Sequence, residues 1–136
     1  KKLMITVCTS GWFDPMHVGH MRLFREARAL GDRLIVILNS DETLLMKKHY
    51  FFLPFDERKE ILRGIRYIDD VVDCIDRDFT VCKTLERLKP SIFAKGGDYK
   101  PENLPELLLC NRLGIRVVYN VGGGKVKLTG RVATYE

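Results

Sequence analysis

The sequence predicts a domain of the α/β class, built on a five-stranded parallel sheet with helices on both faces. Short aliphatic runs alternate about five times with segments of helical periodicity. The second of these runs, residues 33–39, is almost continuously aliphatic, as expected of a strand buried on both faces. The chain has 136 residues, 46% of them hydrophobic, which is enough for one core. We therefore expect a single domain over residues 1–136.

Each predicted element has its own boundary signals. Ser10-Gly11 ends the first strand, Gly31 and Gly114 follow the ends of helices, and Asp56 is placed to cap a helix N-terminus. Pro105 stands near the start of the last helix. The predicted strands are residues 3–9, 33–39, 71–75, 92–95 and 115–120; the predicted helices are residues 17–30, 56–64, 80–88 and 105–113. Ligands bind at the carboxyl ends of strands in such sheets, so the loops after strands one, two, four and five are the candidate site.

The charge balance of the sequence indicates which kind of ligand the protein binds. The 23 Lys and Arg exceed the 18 Asp and Glu by 5, which suits an anionic ligand. The basic residues are dispersed and form no stripe with interleaved aromatics, so we expect phosphate in a pocket and no nucleic-acid partner. The longest apolar run, residues 34–38, is far below the roughly 20 residues that cross a bilayer. We expect a cytoplasmic protein without membrane association, whose four cysteines are reduced, buried thiols.

The first candidate loop, SGWFDPMHVGH at residues 10–20, runs from the first strand into the first helix. A helix N-terminus offers unpaired N–H groups and partial positive charge, and Gly19 lets a phosphate approach that backbone. His17 and His20, three residues apart, project from one face and can donate to the same phosphoryl oxygens. From spacing alone, a metal-binding pair or two half-exposed residues without function are equally open. No further ligand cluster accompanies them, so we expect no protein-held metal.

Within this loop, GWFDPMHVGH resembles the GxFDxxHxGH signature of the cytidylyltransferase-like nucleotidyltransferases. The resemblance implies a Rossmann-like nucleotidyltransferase fold, a homodimer, and an enzyme that joins a nucleoside triphosphate, accompanied by Mg²⁺, to a phosphorylated sugar or polyol with release of pyrophosphate. It implies that His17 and His20 are catalytic and stabilise the α-phosphate. Trp12 departs from many relatives, which carry a small or β-branched residue there. The residues implied to bind nucleotide in this loop are Ser10, Gly11, Trp12, Phe13, Asp14 and Gly19, with Asp14 holding the loop rather than acting as a base.

The second loop, residues 39–58, resembles the family segment that leads from the second strand to an arginine-bearing helix. The alternative is a solvated, mobile surface loop. The resemblance places Lys47 at the catalytic lysine that reaches the nucleotide phosphates, and Lys48 in solvent. Further along, the segment around Arg66 is similar to glycerol-3-phosphate cytidylyltransferase, which implies a substrate-binding arginine near a dimer contact; a plain surface salt bridge is equally open.

The third loop carries KGGDYKPE, which is very similar to the adenylyltransferase domain of the bacterial ADP-heptose synthase. The resemblance favours ATP over CTP as substrate. It implies nucleotide contacts from Lys95, Gly96, Gly97 and Asp98, with Asp98 nearer the nucleoside or the acceptor. Paired glycines also allow backbone to come close to a flat base or a sugar. A glycerol-3-phosphate-type cytidylyltransferase is the alternative within the family.

The fourth loop, residues 122–130, departs from the family pattern. Relatives usually carry a Gly-Ile-Ser-Thr-Thr-type sequence that opens a last helix and holds the triphosphate. Here the sequence is GGGKVKLTG, in which Lys125 and Thr129 are the candidate nucleotide ligands. The departure also supports a second hypothesis, a nucleotide-binding regulatory module with impaired turnover.

Overall fold

A computed structural model describes residues 3–124 of the chain. The strands are β1 (Thr6–Gly11), β2 (Arg33–Leu38), β3 (Asp70–Asp73), β4 (Ile92–Ala94) and β5 (Arg116–Val118). The helices are α1 (Val18–Ala29), α2 (Asp41–Lys48), α3 (Phe55–Arg63), α4 (Cys82–Leu88) and α5 (Leu107–Leu113), with one turn of 3₁₀ helix at Pro101–Asn103.

The strands form one parallel sheet in the order β3-β2-β1-β4-β5. β1 lies between β2, the next strand in sequence, and β4, which follows after a long crossover. The direction in which strands are added therefore reverses beside β1, and a crevice opens there at the carboxyl ends of β1 and β4. The predicted α/β fold with a five-stranded parallel sheet is confirmed.

The sheet separates two hydrophobic clusters because successive strand residues face opposite sides. Val7 of β1 packs into one cluster and Cys8 into the other, and Ile92 and Phe93 divide in the same way. Helices α1 and α3 cover the first face, through Phe24, Ala27 and Leu62. Helices α4 and α5 cover the second face, through Leu85, Leu109 and Cys110. The prediction of helices on both faces is thus confirmed.

The first strand begins later than predicted, at Thr6 instead of residue 3. Its pairing with β2 starts at Thr6 opposite Arg33, because the turn before β2 provides no earlier ladder partner. The Ile5 N–H is bound instead by the Asp32 carboxylate at 2.8 Å, and Leu3 and Met4 are exposed. The other predicted elements overlap the observed ones, and their ends differ by no more than two residues.

The segment after β2 contains a helix that we did not predict. Ser40 caps α2 by accepting the Thr43 N–H at 3.2 Å, and two acidic residues follow in the first turn. The predicted cap of the next helix was wrong: Asp56 lies inside the first turn of α3, and Pro54 occupies the cap position. The carboxylate of Asp41 binds the Phe55 N–H at 3.1 Å, so a side chain from α2 caps α3.

All four cysteines are free thiols, and three of them are buried. Burial raises the pKa of Cys8 to about 12, so this thiol stays protonated and acts as a small core residue. Across residues 3–124, none of the helices has the length and apolar character needed to cross a membrane.

Candidate active site

A cavity of about 540 Å³ opens at the carboxyl ends of β1 and β4, where the strand order reverses. Its volume lies in the range of about 300–1,000 Å³ typical of small-ligand sites. All four candidate loops reach it, the second of them through Lys48 at the end of α2. The predicted site residues that line it are Ser10, Gly11, Trp12, Phe13, Asp14, His17, Gly19, His20, Lys95, Gly96, Gly97 and Asp98.

The two histidines form a cap at the N-terminus of α1. His17 Nδ1 accepts the Gly19 N–H at 3.1 Å, and His20 Nδ1 accepts the His17 N–H at 3.2 Å. The rings stack with centroids 3.8 Å apart, and Phe13 packs edge-on against His20. Because both Nδ1 atoms accept backbone hydrogen bonds, a neutral ring carries its proton on Nε2 in each case. The cap therefore fixes the tautomer of both imidazoles and makes each Nε2–H a donor.

His20 is neutral at physiological pH. Burial, with the neighbouring charges of His17 and Lys48, lowers the pKa of His20 from 6.5 to about 4. A neutral imidazole at this position donates through Nε2 without first losing or gaining a proton. Such a donor suits stabilisation of phosphoryl oxygens rather than proton transfer at neutral pH.

Asp14 is engaged within the protein. Its carboxylate accepts the Phe52 N–H at 2.7 Å and the Leu53 N–H at 2.8 Å, and it is 7% exposed. The peptide bond between Asp14 and Pro15 is cis. These contacts fix the loop before α1 to the segment that leads into α3.

Arg58 is the arginine of the helix that follows the second loop, and the sequence analysis gave this residue no contacts and no role. It lies in α3, is 1% exposed, and donates to the carbonyl oxygens of Trp12, Asn39 and Leu53 at 2.7–3.1 Å. Its fourth partner is the Asp41 carboxylate at 2.6 Å. One guanidinium thus joins the loops after β1 and β2 to two helices. Its partners lie 5 to 46 residues away in sequence, so no local pattern marks it.

The two lysines at the end of α2 take different positions. Lys48 is exposed, as we expected, and it also lines the large cavity because the last turn of the helix lies beside the site. Lys47 lies with its ammonium 4.8 Å from the centroid of the Trp12 ring. The Trp12 indole N–H donates to Thr43 Oγ1 at 3.0 Å, which holds the indole against α2. The indole ring of Trp12, an unusual residue at this position, therefore binds the Lys47 ammonium through a cation–π contact.

Lys95 is the buried cation of the site. Directly after β4, it is 7% exposed and its ammonium lies 4.0 Å from the centroid of Tyr99. Burial lowers the pKa of Lys95 to about 8; the charge of Glu106 opposes the shift and that of Lys47 adds to it. The backbone is held by the Lys95 N–H donating to the Val118 carbonyl at 2.9 Å.

The start of the fourth loop reaches the cavity through Gly122, Gly123 and Gly124. Gly122 has φ +86°, and a Cβ atom there would lie 2.7 Å from the backbone nitrogen of Leu23. Only glycine allows this loop to pack so closely against α1. Lys125 and Thr129, the predicted ligands of this loop, lie outside the described residues.

Arg66 is not brought to the cavity. It is exposed and donates to the Tyr67 hydroxyl at 3.1 Å. Across residues 3–124, no group of three or more His, Cys, Asp and Glu side chains is placed to hold a metal ion.

Comparison with known proteins identifies the protein family. Residues 8–120 match the model of the cytidylyltransferase-like family, which covers most of the chain. The chain belongs to this family. The predicted resemblance is confirmed, and so is the class of enzyme, a nucleotidyltransferase.

Two named relatives extend the cytidylyltransferase-like assignment. The chain is 41% identical over 117 residues to the FAD synthase of Pyrococcus abyssi, covering 84% of this chain and 78% of that protein. It is 40% identical over 113 residues to the bifunctional protein HldE of Pelobacter propionicus, covering 82% of this chain but 23% of that protein.

Among solved structures, the lipopolysaccharide core biosynthesis protein of Thermoplasma volcanium GSS1 is similar to this chain. The TM-score is 0.70 at 28% identity, and the match covers 86% of this chain and 94% of that one.

Proposed function

We propose that this protein is an adenylyltransferase, which transfers the adenylyl group of ATP to the phosphate of a small acceptor and releases pyrophosphate. The observation that carries the proposal is the stacked pair His17 and His20, which lines the cavity at the N-terminus of α1 and has both Nδ1 atoms occupied by backbone N–H groups. ATP is favoured over CTP because the KGGDYKPE loop resembles a heptose adenylyltransferase. One relative is also named for FAD, a dinucleotide that contains adenine.

In the proposed reaction, an oxygen of the acceptor phosphate attacks the α-phosphorus in line. A new P–O bond forms, the bond between the α-phosphorus and its bridging oxygen breaks, and pyrophosphate leaves with the electron pair. His17 and His20 donate through Nε2 to the α-phosphate oxygens as charge develops, beside the N-terminus of α1. Lys47 and Lys48 supply positive charge for the β- and γ-phosphates. The acceptor is already anionic, so no general base is required and Asp14 serves to hold the loop.

The polar groups that line the cavity suit phosphate. They include imidazole, ammonium and backbone N–H groups; of the two lining carboxylates, that of Asp14 is occupied by backbone donors, and Asp98 follows the paired glycines of the third loop. Mg²⁺ would enter with the triphosphate and would supply neutralising charge when bound. Lys125 and Thr129 would add contacts to the β- and γ-phosphates. The homodimer, the role of Arg66 at its contact, the cytoplasmic location and the exclusion of nucleic acid stay predictions.

The test is pyrophosphate release with each of four nucleoside triphosphates and a panel of phosphorylated acceptors. We expect ATP to give the highest kcat/KM. A preference for CTP in direct competition would overturn the choice of base and leave transfer itself standing. Binding of ATP without turnover on any acceptor would favour the regulatory module, the second candidate, which the altered fourth loop supports.

A further inference from the structure

The loop after β1 carries the one tryptophan of the chain, Trp12. A second cavity of about 110 Å³ adjoins the large one, and Trp12 lines both of them. Lys47 lines the second cavity but not the large one. The indole ring therefore lies at the boundary between the α2 lysine and the cavity that is proposed to bind the triphosphate.

The indole ring is held through its edge and through its backbone. Its N–H donates to Thr43 Oγ1 at 3.0 Å, and Thr43 is buried in α2. The Trp12 carbonyl accepts a hydrogen bond from Arg58 Nη1 at 2.7 Å, and the same guanidinium binds the Asp41 carboxylate in the first turn of α2. Two independent contacts therefore fix the position of the ring relative to α2.

Lys47 lies on the face of α2 that meets this ring. Thr43 and Lys47 are four residues apart, so their side chains are neighbours on one helix face. One indole can therefore donate its N–H to Thr43 and hold the Lys47 ammonium over its ring. The ammonium lies 4.8 Å from the ring centroid, within the roughly 6 Å that a cation–π contact allows. A small or β-branched side chain at position 12 is too short for either contact.

The Lys47 ammonium has little else to order it. The side chain is exposed in the last turn of α2 and makes neither a hydrogen bond nor an ion pair within residues 3–124. Lys47 and Lys95 carry the same charge and repel each other across the small cavity. An unordered lysine loses rotamer freedom when it binds a phosphate, and that loss weakens binding. A ring that already holds the ammonium reduces the loss.

We propose that Trp12 is a positioning residue whose ring holds the Lys47 ammonium beside the cavity before ATP binds. This inference rests on the proposed adenylyl transfer, in which Lys47 contacts the β- and γ-phosphates. An ammonium has three N–H donors, so those that point away from the ring stay available for phosphate oxygens. The cation–π contact therefore persists in the complex and favours phosphate binding through the order that it gives to Lys47.

The first experiment needs no nucleotide and uses the fluorescence of Trp12, excited at a wavelength that tyrosine does not absorb. Lys47→Met removes the charge over the ring, keeps a side chain of similar size and should shift the emission of the unliganded protein. Lys48→Met is the matched control, because it removes the next charge along α2 and should cause a smaller shift. Identical spectra for Lys47→Met and the parent, or equal shifts in both variants, would overturn the contact.

The second experiment is a double-mutant cycle on kcat/KM for ATP with Trp12→Leu, Lys47→Met and the double variant. Trp12→Leu should lower kcat/KM by about three- to tenfold, the range expected for the loss of one cation–π contact. In the Lys47→Met background the same change should cost about twofold or less, because the residue on which Trp12 acts is already gone. Trp12→Phe keeps an aromatic face for the ammonium and should recover part of the loss.

The outcomes separate this role from a direct contact between Trp12 and the nucleotide. An undiminished effect of Trp12→Leu in the Lys47→Met background would assign the indole to the nucleotide itself and overturn the positioning role. Thermal unfolding checks that the Trp12 variants are folded. Absence of turnover with every triphosphate and acceptor would overturn adenylyl transfer. The same cycle is then measured on the affinity for ATP by calorimetry, and lack of coupling there would overturn the positioning role as well.

Discussion

The capping histidines combine two tasks in one pair of side chains. Each Nδ1 satisfies a backbone N–H at the start of α1, and each Nε2 then carries the remaining ring proton. A substitution at either position therefore risks both the helix start and the proposed chemistry. Substitution by asparagine or glutamine separates the capping role from the donor role, because the asparagine amide mimics Nδ1 and the glutamine amide mimics Nε2.

His20→Asn should keep the acceptor for the His17 N–H and remove the Nε2 donor. We expect kcat to fall by about 10²-fold, as for the loss of a transition-state donor, with the fold retained. His20→Gln should recover part of that loss, since its amide can reach the Nε2 position. Steady-state kinetics and circular dichroism make the comparison; equal rates for His20→Asn and the parent would contradict the mechanism.

The low pKa of His20 predicts a pH dependence of stability. Between about pH 4 and 6.5 the unfolded chain carries a proton on this imidazole and the folded chain does not. The free energy of unfolding contributed by His20 is thus present in full above pH 6.5 and is lost as the pH falls towards 4. Urea unfolding at pH 7, 6 and 5 should show a smaller decrease for His20→Asn than for the parent. Parallel pH curves would contradict this assignment.

At the scale of elements, Arg58 joins helices and loops that the sheet alone leaves separate. It binds the carbonyl of Trp12 after β1, that of Asn39 after β2, and the carboxylate of Asp41, which in turn caps α3. The loop that carries the histidines therefore depends on a buried guanidinium in another helix.

Arg58→Met should lower the free energy of unfolding by about 3 kcal/mol, because it leaves buried acceptors without donors. Lys59→Met is the matched control on the same helix. Its partner Asp73 is largely exposed, so the loss should stay below about 1 kcal/mol. Chemical denaturation measures both. Similar losses for the two variants would show that Arg58 does not hold these loops together.

The sequence predicts elements better than it predicts their connections. The strand at residues 33–39 was identifiable because a strand that is buried on both faces has a continuous aliphatic sequence. The motif around His17 was identifiable because its residues are contiguous in sequence. Helix α2 was missed although Ser40 and two acidic residues give a recognisable start. The helix that carries Arg58 was identifiable from the resemblance, but the partners of this arginine were not, since only tertiary structure brings them close.

At the scale of the molecule, the loop after β5 closes the cavity against α1. Gly122 permits the contact, because any larger residue would collide with the backbone of Leu23. The last part of the sheet is thereby attached to the first helix, and the triphosphate would bind between them.

Gly122→Ala should weaken ATP binding several-fold and lower the free energy of unfolding by about 1–3 kcal/mol, from the combination of positive φ and steric conflict. Gly124→Ala is the control for stability, because a Cβ atom there meets open space. Calorimetry with ATP and thermal unfolding provide the two measurements. If Gly122→Ala left both the affinity for ATP and the free energy of unfolding unchanged, the loop would not pack against α1 as described.

The strand order has a consequence for how the protein matures during synthesis. β1 acquires β2 as a neighbour early, but β4, on its other side, follows about 80 residues later, and the loop at Gly122 later still. The histidine loop is therefore translated long before the walls that complete the cavity. A chain still emerging from the ribosome lacks the loops after β4 and β5 that line the cavity, and we expect its full affinity for nucleotide only after both have been added.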